Sequence, residues 1–311
     1  MAETRSTARG AAPPALAWSA VVAVFLLMTL GNIVSATGSG LACPDWPLCH
    51  GRLVPPLRPD VLVEYSHRLA AVVASILVVA TVVATLRGPR TSGTKRIGLG
   101  LLVLLAGQIV LGGITVLFKL PSLVSTLHLV IALLILAGLV ILASSGAAGG
   151  APDVRDPKLA RLARAGLLVL LVQLALGGYV RHSGAGLACP DFPLCSGEVL
   201  PQHWLATVHW VHRWLGVLLL GFFIQLAIAG RRSSVAGATI LTAALAVLQV
   251  ALGIAGVLFR LDPPVRAAHA FVGYALWATL VWISAAAGCW RFSRPGSTAA
   301  GSSRGAMIHA S

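Results

Sequence analysis

Four histidines, His67, His128, His212 and His269, each stand near the start of a long apolar stretch. An ionisable side chain inside a membrane-spanning segment is costly, and it faces a bundle interior or a cavity rather than lipid. Neutral imidazole is a ligand for haem iron, and two imidazoles on facing helices of a bundle can hold one iron from opposite faces. A single intramembrane histidine is more often a hydrogen-bonded interior residue. Four at one depth, falling into two pairs, predict two haem sites, with His67 and His128 in one and His212 and His269 in the other. Zinc or copper would draw carboxylate or thiolate company into the same stratum. His50, His182 and His203 are expected in loops and His309 in the polar tail, and none is assigned a ligand role.

Glu64 precedes His67 by three residues, on the same helical face, whereas His209 stands at the matching place before His212. A carboxylate one turn from a haem ligand could exchange protons with a reacting group. The alternative is a glutamate near a helix N-terminus, stabilised by the helix dipole. His209 is also a second possible ligand beside His212. Arg68 and Arg213 each follow a candidate ligand and could pair with haem propionates through their planar donor forks, or snorkel to the interface. Gln108 and Gln249 recur in matching stretches, where interhelical hydrogen bonding is the modest reading. Cys43 with Cys49, and Cys189 with Cys195, flank two short Pro-Asp-aromatic-Pro-Leu loops, and each pair is expected to form a local disulfide. Whether such bonds staple the loop or take part in redox exchange stays open. Cys289 has no counterpart and reads as an unpaired apolar residue.

The elements that must position these residues are transmembrane helices. Hydrophobic residues make up 57% of the 311 and charged residues 10%, with a mean hydropathy of +0.89, which is far from the composition of a soluble domain. Eight apolar stretches run over residues 16–36, 63–86, 97–117, 122–144, 162–180, 206–229, 236–258 and 265–288, each near the length that crosses the hydrocarbon. The net charge of +14 would suit nucleic acid only if the basic residues shared one soluble face. Instead they collect in alternate connections: Arg5 and Arg9, then Arg87 to Arg96, Arg155 to Arg164, Arg231 and Arg232, and Arg291 to Arg304. The positive-inside rule puts those segments and both termini in the cytoplasm and the Cys-loops on the outer face. No nucleic-acid partner is expected; the partner is the lipid bilayer. Ser35-Ala36-Thr37 would suit a signal-peptide cleavage site, but the fifth stretch, its internal counterpart, cannot be a signal peptide.

The chain is an internal repeat. Gly40 to Cys49 reads GLACPDWPLC and Gly186 to Cys195 reads GLACPDFPLC. LGNIVSATGS and LGGYVRHSGA precede them. Glu64-Tyr-Ser-His67-Arg68 matches His209-Trp-Val-His212-Arg213, and GQIVLGGITVLFKLPSLVSTLH, ending at His128, matches LQVALGIAGVLFRLDPPVRAAH, ending at His269. Each unit has an even number of spans, so both enter the membrane in the same direction. The expected fold is an all-α membrane protein of eight transmembrane helices, two tandem four-helix bundles related by a pseudo-twofold axis along the membrane normal. The expected organisation is a cytoplasmic tail over 1–15, a first half over 16–145, a cytoplasmic linker over 146–161, a second half over 162–288 and a cytoplasmic tail over 289–311.

At these residues the sequence resembles the haem A synthase family, over roughly residues 16–288. The resemblance rests on the conjunction of two tandem repeats, Cys-x5-Cys in the outer loops, Glu64-x-x-His67-Arg68, and His128, His212 and His269. It implies that His67 and His128 bind the substrate haem O, that His212 and His269 hold a haem b cofactor, and that Glu64 is catalytic. The implied reaction oxidises one porphyrin methyl to a formyl group by successive hydroxylations and loss of water from the gem-diol, for cytochrome oxidase biogenesis. Implied partners are haem O synthase, cytochrome oxidase assembly factors and an electron donor that the sequence does not name. An opening without a transit-like presequence points to a bacterial plasma membrane, although Arg5, Arg9 and the early Ser and Thr would also suit a mitochondrial one. Two other functions fit parts of the pattern. A dihaem electron-transfer cytochrome would carry the same histidines without chemistry on haem itself, and a thiol-disulfide carrier would work through the loop cysteines.

Overall fold

A computed structural model describes residues 14–145, 154 and 156–290 of the chain. Arg5, Arg9, Arg155, Arg291, Arg294, Arg304 and His309 lie outside the described residues, as do most of the expected tails and linker. Eight long α-helices account for nearly all the rest: α1 Pro14–Ala36, α2 Pro59–Arg87, α3 Ser92–Leu117, α4 Ser122–Ser144, α5 Pro157–His182, α6 Trp204–Gly230, α7 Ala236–Leu258 and α8 Pro263–Ala286. At 23 to 29 residues and 1.5 Å of rise per residue, every helix exceeds the roughly 30 Å of a hydrocarbon core. All eight are apolar enough to cross it. The protein is therefore a multi-pass membrane protein, all-helical among the described residues apart from two isolated β-bridges.

Several helices begin earlier than hydropathy suggests, because polar starts are hidden from an apolar window. α2 starts at Pro59 and α5 at Pro157, where a proline in the first turn gives up no hydrogen bond. Asp156 caps α5 by accepting from the backbone N–H groups of Lys158 (2.8 Å) and Leu159 (3.2 Å). Thr91 caps α3 through Thr94 N–H at 3.3 Å. At its other end α5 runs on to His182, so His182 is a helical residue and not a loop residue. The expected cytoplasmic linker correspondingly shortens, with residues 157–161 belonging to α5.

α4 and α8 are the most buried helices, α3 and α7 the least. Neighbouring helices in sequence pack in antiparallel pairs, and the halves meet through α1 with α8, α4 with α5, and α4 with α8. Exchanging α1–α4 with α5–α8 maps this set of helix pairs onto itself, which is the contact pattern a twofold relation produces. The core consists of Leu133, Leu136 and Leu139 of α4 with Leu276, Leu280 and Ile283 of α8, all but sealed from solvent. Trp277 of α8 donates from Nε1 to the carbonyl of Leu133 at 2.8 Å. Outward-facing Val103, Leu168 and Leu218 are exposed, as a lipid-facing surface requires. The α3–α4 and α7–α8 turns repeat one another closely. Leu120 and Leu261 both have positive φ, and their N–H groups donate to Thr115 and Gly256 carbonyls at 2.7 Å in each case.

Candidate functional site

The Cys-loops connect α1 to α2 and α5 to α6. Cys43–Cys49 and Cys189–Cys195 are disulfide-bonded, and all four cysteines are buried. Thiol exchange requires a thiolate to reach a disulfide sulfur, so their burial favours the stapling role. Inside each loop an aspartate closes the turn. Asp45 accepts from His50 N–H (2.6 Å) and Gly51 N–H (2.7 Å), and Asp191 accepts from Ser196 N–H (2.6 Å) and Gly197 N–H (3.2 Å). The Gly51 amide is the largest influence holding the Asp45 carboxyl below its ordinary range, and Ser196 does the same for Asp191. His50 is spent within its own loop, with its ring Nε2 at 2.9 Å from the Ala42 carbonyl.

Each loop is tied to the helix that follows by one arginine. Arg68 of α2 donates to the carbonyls of Cys43 (2.9 Å), Asp45 (2.7 Å) and Leu48. Arg213 of α6 donates to those of Cys189, Asp191 (2.6 Å) and Leu194 (3.3 Å). Both guanidinium groups donate to loop backbone, and Arg213 also lines the second-half cavity beside His212. Glu64 and His209 orient them. Glu64 Oε1 accepts from Arg68 at 2.6 Å while its Oε2 accepts from Cys43 N–H at 2.7 Å. His209 Nε2 accepts from Arg213 at 3.1 Å. Glu64 and His209 are both buried, and Glu64 is the only buried carboxylate among the described residues.

Three of the candidate ligands, His67, His212 and His269, lie further along their helices than the apolar windows implied, because those helices begin earlier; His128 lies where its window put it. His67 and His212 each lie eight residues after the first residue of α2 and α6, and His128 and His269 six after that of α4 and α8. Those offsets place them about 9 to 12 Å along their helices. Every ring rests on a glycine of the preceding helix. A Cβ at Gly31 would lie 2.7 Å from His67 Cε1, one at Gly112 3.3 Å from His128 Cε1, one at Gly177 2.7 Å from His212 Cε1 and one at Gly253 3.2 Å from His269 Cε1. These glycine seats were not singled out from sequence, although their recurrence in both copies of the repeat was visible there. The amide Nε2 of Gln108 lies 3.3 Å from His128 Nε2, and that of Gln249 lies 3.2 Å from His269 Nε2. Gln173 of α5 donates to the His212 carbonyl at 2.9 Å.

In all four rings Nδ1 is buried with no hydrogen-bond partner. Buried polar atoms are rarely left this way; His209 Nδ1 shares the feature, so the unpartnered nitrogens point to a ligand only together with the glycine seats and the placing of the rings. His212 and His269 face one another with ring centroids 6.5 Å apart, close to the roughly 6 Å expected for two imidazoles on opposite sides of one metal with bonds of about 2 Å. They line a cavity of about 450 Å³ with Gln249, Phe192 and Tyr274, within the range of cofactor sites. No group of three or more His, Cys, Asp or Glu side chains converges among the described residues. A two-histidine set is short of the four ligands of a tetrahedral site, and it suits a group that brings its own equatorial ligands, as haem does. In the first half Trp46 of the loop packs over Gly113 of α3, where a Cβ would meet its ring at 3.1 Å.

Residues 14–281 match the COX15-CtaA family, described as cytochrome oxidase assembly protein. The chain belongs to this family, that of the haem A synthases. It is 31% identical over 264 residues to the haem A synthase of Bacillus licheniformis, covering 80% of this chain and 87% of the relative. It is 30% identical to that of Bacillus pumilus, with 86% and 94% covered, and 31% identical to that of Rhizorhabdus wittichii, with 89% and 95% covered. The family match covers the first seven helices, both loops and most of α8.

Proposed function

We propose that this chain is a haem A synthase, which oxidises a methyl group of haem O to a formyl group for cytochrome oxidase assembly. The observation that carries this reading is the repeated seat: two pairs of half-buried imidazoles, each on a glycine, each with a buried ring nitrogen that has no partner, in a chain of this family. In the proposal His67 and His128 hold the substrate haem O, and His212 and His269 hold a haem b cofactor. A haem b held there would supply one-electron redox capacity. The residues of the chain bind, orient and seal. Gly31 and Gly177 let the histidine rings sit close to the helix backbone, Gln108 and Gln249 fix the opposite rings, and the stapled loops close the outer end.

Glu64 is assigned the catalytic role in the first half. Its support is chemical: a buried carboxylate one turn before a substrate-side ligand, where the cofactor half has His209. Glu64 Oε2 holds the Cys43 amide and is the candidate acceptor for a proton leaving the substrate. The proposed setting is a bacterial plasma membrane with both termini cytoplasmic and the Cys-loops outside. The proposed partners are haem O synthase, oxidase assembly factors and an electron donor. The test is pigment extraction from cells supplied with haem O. Haem A is expected with the wild type and not with Glu64→Ala, while total bound haem persists. Haem O left unchanged by the wild type under a working electron supply would overturn the enzyme and leave a dihaem electron carrier.

A further inference from the structure

We infer that Arg181 and Arg266 form the carboxylate-binding end of the second-half cavity and anchor the propionates of the haem held between His212 and His269. The inference rests on the proposed haem b site and adds the residues that retain it. Arg181 near the outer end of α5 and Arg266 in the first turns of α8 both line that cavity, with Tyr274 beside them. Arg266 is three residues before His269, on the same face of α8. Neither arginine has a carboxylate partner: the ion pairs among the described residues are Arg58 with Asp60 and Arg68 with Glu64. What they touch is neutral. Arg181 donates to Asn32 Oδ1, the Asn32 carbonyl (2.7 Å) and Ser35 Oγ (2.9 Å) of α1. Arg266 reaches only the Ala36 and Ser35 carbonyls, at 3.4 and 3.5 Å.

Three guanidinium groups line this cavity: Arg213 is held by His209 and the loop carbonyls, whereas Arg181 and Arg266 lack a comparable anchor in their own half and are completed by an anion. A planar apolar ligand with two carboxylates meets that need, since guanidinium matches a carboxylate through paired donors. The repeat sharpens the point. The places of Arg181 and Arg266 are taken in the first half by Ser35 and Ser125, and the Ser125 hydroxyl is buried without a partner. One half thus carries a cationic clasp suited to a resident group, and the other lacks it, as suits a substrate that must arrive and leave.

The test uses the purified full chain carrying haem b and follows haem transfer to excess apomyoglobin together with the haem midpoint potential. Loss of a charge-assisted bond should speed release by about tenfold in Arg266→Gln, and further in the double variant with Arg181→Gln. The potential should fall in both, because a nearby cation favours the reduced state. Arg266→Lys keeps the charge and should retain most of the wild-type potential. Arg266→Gln removes only long contacts, so its fold is not at stake. Wild-type release and potential in the double variant would overturn the inference. Unchanged haem b in His212→Ala would instead sink the underlying haem assignment.

Discussion

Replacing Gly177 by alanine is the sharpest probe of how the second-half histidine is held. An added Cβ would lie 2.7 Å from His212 Cε1, 3.4 Å from Nδ1 and 3.5 Å from Nε2, whereas carbon atoms in contact prefer about 3.5 to 4.0 Å. The ring must therefore retreat by roughly 1 Å, through backbone adjustment or an off-rotamer turn costing about 1 kcal/mol. Alanine favours a helix over glycine by at most about 1 kcal/mol, and overpacking costs about 1 to 3 kcal/mol, so the net effect is a modest loss of stability. The effect on ligation is larger. His212 and His269 are 6.5 Å apart between ring centroids, and metal–ligand distances tolerate only about 0.2 Å of error. Gly177→Ala should thus lose most haem b, or keep it with one histidine detached, while the helices still fold. Gly253→Ala, with its tightest contact at 3.2 Å, should keep considerably more. The assay is haem per protein after purification, with the optical spectrum reporting ligation. Full haem content and an unchanged spectrum in Gly177→Ala would refute the claim that the glycine seat positions the ligand.

The doubled loop anchor separates two roles of one residue. Since His209 does for Arg213 what Glu64 does for Arg68, Glu64→His should preserve protease resistance of the first loop yet abolish haem A formation; haem A at the wild-type level would reduce Glu64 to an anchor. Arg68→Gln removes the three arginine ties to loop carbonyls and leaves the buried Glu64 charge without its cation, held only by the Cys43 amide, which should cost about 3 kcal/mol and expose the loop to proteolysis; a loop as resistant as the wild type's would contradict this. Replacing Cys43, Cys49, Cys189 and Cys195 by serine should lower thermal stability by about 2 kcal/mol per short loop while leaving haem A synthesis measurable, and complete loss in a folded protein would favour the thiol-carrier alternative. Asp45 and Asp191 are held below their ordinary value of 3.8, so the unfolded chain binds protons more readily than the folded loop. Their contribution is therefore complete above that value and lost as pH falls through the depressed one. Loop protection should be flat from neutral pH to about 5 and fail only below about 4, and a transition near pH 6 would point to a histidine instead.

How much of this was legible beforehand varies by residue. The eight helices follow from apolar length, and the pairing of His67 with His128 and of His212 with His269 was proposed from the repeat. Helix starts were missed where proline and capping polar residues precede the apolar run, as at Pro59 and Pro157. Arg68 and Arg213 were assigned to propionates or to the interface because each adjoins a candidate ligand. Their carbonyl partners belong to loops that fold back over the helix, which no local pattern shows, and Arg213 lines the cavity as well. Arg181 and Arg266 carried no local signal, since their meeting needs α5 and α8 to pack around one cavity.

By itself, then, the sequence determined the class of the protein and the number of its helices, and it supplied the histidines proposed to hold a metal group. Those are properties of composition, period and repetition, which the chain carries before it folds. Tertiary structure alone decided which arginines tie the loops, which of them line the cavity, and which glycine lets an imidazole approach. Those depend on side-chain direction and on contacts between helices far apart in sequence, and no local pattern encodes either one.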